Sequence, residues 1–461
     1  MNKQIFREYD IRGVFGKDFD EKDAELVGKA VAAYLKRSGG RRLVIGRDCR
    51  KSSPAIRDAL IKGLTAAGMD ATDVGMVSTP EHAFAIGLLD QDGGVMITAS
   101  HNPPEYNGFK VYRGTQSIHG SEIQELLKII QANAFPSGGG KKNTSSAEDA
   151  YAEYLVDNTK RGKPLKLVVD GGNGVAGNMG CRVLEELGHE VIPLYCEPDG
   201  SFPNHPADPS DPANLRDLIE KVKKTKADAG IAFDGDGDRI GSVNEKGGIV
   251  WGDRLLILYS RQILAQNPGI KVVFEVKCSQ ALADDVKAHG GKPLMWKTGH
   301  NLIESKMLEE NALLAGEMSG HMYFRDRHEG FGDAIYAACR LAEILSLSDK
   351  SFSQLLADIP KYYSTQELRP QFPDEKKFEF ITAFAAKMRK QGRKVIDLDG
   401  CRVEYEDGWG LVRASNTKPE LSLRFEGKTL SALKRIYAGF SNELEKEGLE
   451  LPSFEKLHVS Q

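Results

Sequence analysis

The sequence lacks what would tie it to a membrane, a nucleic acid or an oxidising compartment. Nowhere in its 461 residues is there an apolar run of the ~20 residues that a membrane-spanning helix needs. Its opening, MNKQIFREYDIRG, is charged where a secretion signal is apolar. An excess of one charge is missing too. Lys and Arg total 62 against 66 Asp and Glu, a formal net charge of -4, so no broad cationic face for nucleic acid or anionic lipid is expected, and any bound anion must meet a local cluster. The six cysteines (Cys49, Cys181, Cys196, Cys278, Cys339, Cys401) include no CxxC pair, which fits neither a disulfide scaffold nor a structural zinc site and predicts reduced thiols in the cytoplasm. What is present is ordinary globular composition, 40% hydrophobic and 28% charged. At ~100–200 residues per domain the length predicts three or four domains.

The Gly- and Ser-rich stretch PSGGGKKNTSSAEDA, from Pro136 to Ala150, reads as a linker and puts a boundary near 147. Before it, short β-branched runs such as Leu43-Val44-Ile45 and Val95-Met96-Ile97 alternate with helical stretches such as Pro54 to Ala67, the pattern of an α/β unit with a largely parallel sheet. A weak repeat follows. RRLVIGRD, LKLVVDGG and IKVVFEVK each begin a unit, and each precedes a second strand ending in a polar loop: VMITASHNPP, AGIAFDGDGDR and ALLAGEMSGH. Three related α/β units with one special loop apiece would gather those loops around a common crevice. From Tyr362 the pattern changes to a helix over Asp374 to Gly392, then alternating strands around one polar turn, then another helix. The expected division is 1–146, 147–248, 249–361 and a smaller α+β domain over 362–461.

Four loops carry candidate chemistry. In TASHNPPEYNGFK, Thr98 to Lys110, prolines and glycine forbid regular structure. Ser100, with His101 beside it and Lys110 within reach, reads either as a nucleophile and phosphate carrier or as a capping serine in a turn. In DGDGDR, Asp234, Asp236 and Asp238 alternate with glycines, a hard-oxygen set suited to Mg²⁺ or Ca²⁺. These residues and Glu245 match EF-hand positions, but Arg239 stands where the turn wants Gly, and the flanks read as strands, so a Mg²⁺ site with few protein ligands fits better. In GEMSGH, Glu317 and Ser319 project to the same side and could grip vicinal hydroxyls. RASNTKP, Arg413 to Pro419, gathers guanidinium, hydroxyl, amide and backbone donors for a phosphate.

One motif competes. Gly172-Asn173-Gly174-Val175-Ala176-Gly177 is a formal GxGxxG after a strand, with Glu197 further on, the arrangement of an NAD-dependent oxidoreductase. Pro193 interrupts the second strand that fold requires, and no hydride-transfer site is recognisable, so the glycines read as close packing of a strand-to-helix turn.

Together YDIRG, TASHNPPEYNGFK, FDGDGDR, EVKCSQAL, KTGH, GEMSGH and RASNT resemble, in order and over essentially the whole chain, the active-site segments of the α-D-phosphohexomutase superfamily, most closely its bacterial phosphomannomutase/phosphoglucomutase branch. The resemblance implies four domains in a heart-shaped arrangement around a central cleft, three sharing a mixed α/β core and the fourth closing over the cleft. It implies that Ser100 carries the catalytic phosphate, that Ser100, Asp234, Asp236 and Asp238 hold one Mg²⁺, and that Arg12, His101, Lys110, Arg239 and His321 supply charge or move protons. Tyr9, Lys277, His300, Glu317 and Ser319 would then contact the sugar, and Arg413, Ser415, Asn416 and Thr417 its phosphate. GEMSGH with Asn416 resembles the mannose/glucose branch. Such an enzyme interconverts hexose 1- and 6-phosphates through a hexose 1,6-bisphosphate as a monomer, without nucleic acid or membrane; the other readings are a non-catalytic sugar-phosphate or Ca²⁺-binding protein. The stretch RDRHEGFGDAIY, Arg325 to Tyr336, has no role assigned by the resemblance.

Overall fold

The computed structural model describes residues 1–416 and 418–460. The three runs that begin the repeat become interior strands of three separate sheets: Arg42–Arg47, Lys166–Asp170 and Lys271–Glu275. Each lies between two parallel neighbours. In each sheet one of those neighbours, Gly93–Ile97, Ala229–Phe233 or Leu314–Gly316, runs into the polar loop, and the chain returns antiparallel through Tyr106–Arg113, Ile240–Asn244 or Met322–Phe324. The sheets are therefore mixed, as the resemblance implies, and the first is not the largely parallel sheet that its strand–helix alternation suggests. The reason is loop length: a parallel return needs a crossover of a dozen or more residues, and these loops are shorter than that.

The expected linker is partly sheet. Lys142–Thr144 pairs in parallel with Asp70–Met76 at the edge of the first sheet. Its glycines allow this, since a Cβ on Gly140 would fall 2.0 Å from the Met69 carbonyl oxygen. Pro193 likewise lies inside strand Glu190–Leu194, tolerated because that strand is the edge of its sheet.

The fourth sheet is antiparallel, ordered Lys394–Ile396, Cys401–Tyr405, Gly408–Ala414, Leu421–Gly427, Tyr363–Thr365 and Val459–Ser460. Helices Lys377–Lys390 and Leu430–Glu445 pack on it, the first shorter at both ends than the expected Asp374 to Gly392.

Buried apolar side chains link the first three units. Phe84, Tyr151, Phe233, Leu256, Phe274 and Phe324, drawn from all three, belong to one continuous core. The fourth unit has its own core around Phe384, Phe425 and Phe440 and meets the third through a small cluster of Val276, Trp409 and Leu411. Among the described residues no helix is long and apolar enough to cross a membrane.

Candidate active site

Ser100 follows the buried strand Gly93–Ile97 in a turn closed by its own N–H, which donates to Thr98 Oγ1 at 2.8 Å. Its backbone is left-handed, φ 50°, a conformation that costs a serine energy and is kept only where surrounding contacts hold it. Those contacts come from Arg50, fully buried, which sequence reasoning missed. Its Nη2 donates to the carbonyls of Ser100 and Asn102 at 2.7 Å each, and its Nη1 to those of Pro103 at 2.6 Å and Tyr106 at 3.1 Å. Nε of Arg50 pairs with Asp48 Oδ2 at 3.0 Å. Four carbonyls thus point away from the cleft, and the serine hydroxyl points into it, donating to Asp234 Oδ2 at 2.6 Å with His101 Nδ1 at 3.1 Å. Arg12 reaches the same turn through Asn102 Oδ1 at 3.0 Å while pairing with Asp10, and its Nε is buried without a partner among the described residues. Burial, then the charges of Arg239 and Arg12, hold the His101 pKa well below the usual histidine range.

The aspartate loop is clamped through its backbone by all three units. The carbonyls of Gly235, Asp236 and Gly237 accept from the N–H groups of Val175 at 3.2 Å, Thr79 at 2.8 Å and Ala334 at 3.3 Å. Thr79 and Ala334 are the first residues of helices Thr79–Leu88 and Ala334–Ser346, so the loop absorbs donors those helices cannot use internally. Asp234 Oδ1 accepts three N–H groups, of Gly237, Asp238 and Arg239, each at 3.1 Å. Lys110 Nζ sits 2.7 Å from Asp236 Oδ2 and 2.5 Å from Asp238 Oδ2; burial opposes its charge, yet the two carboxylates hold its pKa above the usual lysine range. Burial, then repulsion from Asp238 and Asp236, drives the Asp234 pKa well up.

One carboxylate oxygen from each of these three aspartates lies within 4.8 Å of the others, and Asp236 Oδ1 is buried without a hydrogen-bond partner among the described residues. An orphaned buried oxygen among converging carboxylates fits a hard divalent cation. Glu245, the twelfth position of an EF-hand, is elsewhere: its carboxylate accepts from Ser351 and Ser353 at 2.8 and 2.5 Å. Space beside Gly174 is also taken, since a Cβ there would meet the Gly235 backbone at 2.7 Å; the formal GxGxxG turn is packed against the aspartate loop.

The third loop docks on the second by an isolated antiparallel bridge between Arg239 and His321. Gly320, at φ 98°, is required there because a Cβ would fall 2.2 Å from the Ile240 carbonyl oxygen. His321 lies between two carboxylates, with Nδ1 2.7 Å from Glu317 Oε2 and Nε2 3.2 Å from Asp238 Oδ1. Burial opposes its charge, but Asp238 and Glu317 lift its pKa to about 9, and Glu317 falls to about 2 against its own burial because of His321. Ser319 Oγ donates to Glu317 Oε2 at 3.3 Å, so the pair shares one face. His300 stacks on His321, ring centroids 5.4 Å apart, with Nε2 buried and unpartnered among the described residues. Lys277 lies 3.6 Å from Glu275 and 3.7 Å from Glu367, which raise its pKa although burial opposes.

The fourth unit reaches this cluster through side chains. Arg413 Nε donates to Asp399 Oδ2 at 3.0 Å, and the same oxygen accepts from Thr298 N at 2.9 Å. Asn416 Nδ2 donates to the Tyr9 hydroxyl at 2.6 Å, which itself donates to the Thr298 carbonyl at 2.8 Å. Ser415 Oγ accepts from Lys418 N at 3.2 Å, and Thr417 lies outside the described residues. The unit is anchored on the segment around Lys277: Arg424 donates to the Lys277 carbonyl at 2.6 Å, Arg402 to that of Val276 at 2.5 Å, and Gln280 N to Glu426 at 2.9 Å.

Beyond Arg50, sequence reasoning missed Thr79, whose Oγ1 donates to Asp236 Oδ2 at 2.7 Å, and Asp333 in the unassigned stretch, which caps the helix whose first N–H meets Gly237. A Ser-Thr-Pro helix start and an Asp before an apolar run were legible as caps; what the caps support was not.

Comparison with known proteins agrees along the whole chain. Family models described as phosphoglucomutase/phosphomannomutase match in order: alpha/beta/alpha domain I over residues 3–137, domain II over 149–248, domain III over 251–363 and the C-terminal domain over 367–442. The chain is 46% identical over 447 residues to a phosphomannomutase/phosphoglucomutase of Pseudomonas putida, covering 97% of this chain and 96% of that one. It is 44% identical over 449 residues to a phosphoglucomutase of Neisseria gonorrhoeae, covering 96% and 97%. A crystal structure of a phosphoglucomutase/phosphomannomutase family protein from Burkholderia thailandensis superposes with a TM-score of 0.92 at 44% identity, covering 98% of this chain and 100% of that one.

Proposed function

The chain belongs to the phosphoglucomutase/phosphomannomutase family, and from that premise we propose that it interconverts the 1- and 6-phosphates of glucose and mannose, with Ser100 as the phosphate carrier. The observation that carries this reading is the Ser100 hydroxyl, held in a left-handed turn and donating at 2.6 Å to Asp234 of the aspartate cluster.

A phosphate ester is inert in water, so turnover needs an in-line nucleophile and compensation of spreading negative charge. Phosphate on Ser100 passes to the free hydroxyl of a hexose monophosphate: the new P–O bond forms on the sugar, the bond to Ser100 Oγ breaks, and a hexose 1,6-bisphosphate results. After this intermediate turns end over end, its other phosphate returns to Ser100. Asp234, Asp236 and Asp238, with an oxygen on Ser100, would hold one Mg²⁺, which when bound neutralises charge on the transferring group. Arg12, Lys110 and Arg239 place further positive charge around it, and His101 and His321 are placed to hold or move the hydroxyl protons. Glu317 and Ser319 grip the sugar hydroxyls that nearly exchange places in the turn, with Tyr9, Lys277 and His300 beside them. Arg413, Ser415 and Asn416 receive the phosphate distant from Ser100. Action as a monomer is part of this reading, and six free thiols support a cytoplasmic location.

The test follows glucose 1-phosphate and mannose 1-phosphate by phosphorus NMR with Mg²⁺ and a trace of the 1,6-bisphosphate, alongside intact mass. Conversion to the 6-phosphates, with one phosphoryl group mapped to Ser100, is expected. Tight binding of the sugar phosphates without turnover or modification would assign a binding protein instead.

A further inference from the structure

Behind the aspartate loop, two thiols with no part in the proposed reaction are in contact. Cys181, half-buried on helix Gly177–Glu186, has its Sγ 3.5 Å from Sγ of Cys196, buried just beyond strand Glu190–Leu194. Cys196 Sγ also lies 3.4 Å from the Val169 carbonyl oxygen. These two sulfurs sit at the glycine turn that supports the site. Cβ atoms on Gly171 and Gly177 would fall 2.9 and 2.8 Å from Cys196 Cα, so the backbones are already in contact. Farther along the same turn Gly174 abuts the Gly235 backbone, and a Cβ on Gly237 would lie 2.7 Å from Ala176 Cβ.

We propose that Cys181 and Cys196 are a reversible redox pair that closes to an intramolecular disulfide on exposure to a peroxide and, in closing, disturbs the aspartate loop. Cys181, the more accessible sulfur, attacks one peroxide oxygen: an S–O bond forms, the O–O bond breaks, and the thiol proton leaves with the departing oxygen as water. The Cys196 sulfur then attacks the resulting sulfenic sulfur; S–S forms, S–O breaks, and a second water leaves with the Cys196 proton. Two thiols are oxidised by two electrons and one hydrogen peroxide is reduced to two waters. A dithiol reverses the bond by exchange.

A disulfide holds its sulfurs at about 2.05 Å, so bridging draws these together by roughly 1.5 Å. Because Gly171 and Gly177 leave no slack around Cys196, the movement passes along the turn through Ala176 and Gly174 to Gly237 and Gly235. Small displacements of a loop that positions reacting groups cost turnover steeply.

The experiment treats the whole reduced protein with hydrogen peroxide, counts thiols under denaturing conditions, maps cross-links by mass spectrometry and assays mutase turnover before and after. The expected outcome is four titratable thiols in place of the six of the reduced chain, a Cys181–Cys196 cross-linked peptide, turnover lowered about tenfold, and recovery of thiols and turnover with dithiothreitol. Cys181→Ser and, separately, Cys196→Ser should form no bridge and keep their turnover through the same treatment. Six retained thiols, or oxidation of Cys181 to higher acids without a cross-link, would overturn the pair. A bridged enzyme with unchanged turnover, or peroxide sensitivity persisting in both variants, would overturn the coupling. The thiol count and cross-link read independently of the assay, and turnover of the reduced chain is measured first, so failure of the mutase reading is separately visible.

Discussion

At the floor of the cleft, Gly235, Asp236 and Gly237 are held through backbone carbonyls by residues of three units that share one apolar core, while across the cleft the fourth unit's Asp399, itself paired with Arg413, and its Asn416 meet the rest of the molecule through their side chains, at the Thr298 N–H and the Tyr9 hydroxyl. The difference is one of reversibility. Backbone bonds inside a continuous core cannot be released singly without exposing buried polar groups, so the floor stays organised for charge stabilisation whether or not substrate is bound. Side-chain bridges at a cleft exchange readily for phosphate oxygens, and we propose that the fourth unit, which meets the third through a small apolar cluster and a few charged bonds, acts as a lid that can let go.

Breaking the floor should have the largest consequences. Ser100→Ala is expected to lower turnover by ~10⁴-fold or more while melting at the wild-type temperature, measured by steady-state kinetics and calorimetry, because it removes the carrier but only one hydroxyl from the turn. A residual rate within tenfold of wild type would remove Ser100 from the mechanism. Chelation of divalent cations should abolish activity, with Mg²⁺ restoring it, and Asp236→Asn should be slow even at saturating Mg²⁺. Arg50→Lys sharpens the comparison, because it keeps the buried charge but loses the fork that collects four carbonyls. Turnover should fall by ~10²-fold with KM nearly unchanged, as expected for a misplaced nucleophile; an altered KM with normal kcat would show that Arg50 serves the substrate instead.

Breaking the lid should be milder and of another kind. Arg413→Ala should mainly raise KM, by ~10–100-fold, and increase the share of bisphosphate released to solution, since a charged bond to phosphate is lost while Ser100 still carries its group. Tyr9→Phe removes the hydroxyl between Thr298 and Asn416, a loss of about 1 kcal/mol of lid closure. Small-angle scattering should find the variant slightly more open without ligand, and its KM should rise only a few-fold. Equal kcat losses in Ser100, Arg413 and Tyr9 variants would erase the distinction between floor and lid.

How far the sequence could be read depended on the range of the interaction. Ser100, the three aspartates, Glu317 and Ser319, and Arg413 stand in short segments whose own composition states the chemistry, and the alternation of strand and helix gives away the layered units. Arg50 could not be read this way, because its partners are backbone carbonyls about fifty residues on, which every residue possesses. Ser78 before Thr79, and Asp333, have the residue types of helix caps, yet the loop their helices support lies in another unit. The Gly- and Ser-rich stretch before 147 looked like linker because edge pairing through Lys142–Thr144 uses main-chain groups and asks little of side chains.

By itself, then, the chain's sequence determined which loops bear charge, hydroxyl and amide, and that three of them end strands of like design. Only the tertiary structure decided that these loops converge: the Arg239–His321 bridge needs Gly320 against Ile240, and the aspartate loop needs Gly174 against Gly235. Local composition sets what a segment can do, because propensity and charge act over a few residues. Which carbonyl meets which N–H across three units depends on the packing of one shared core, a property of no single segment.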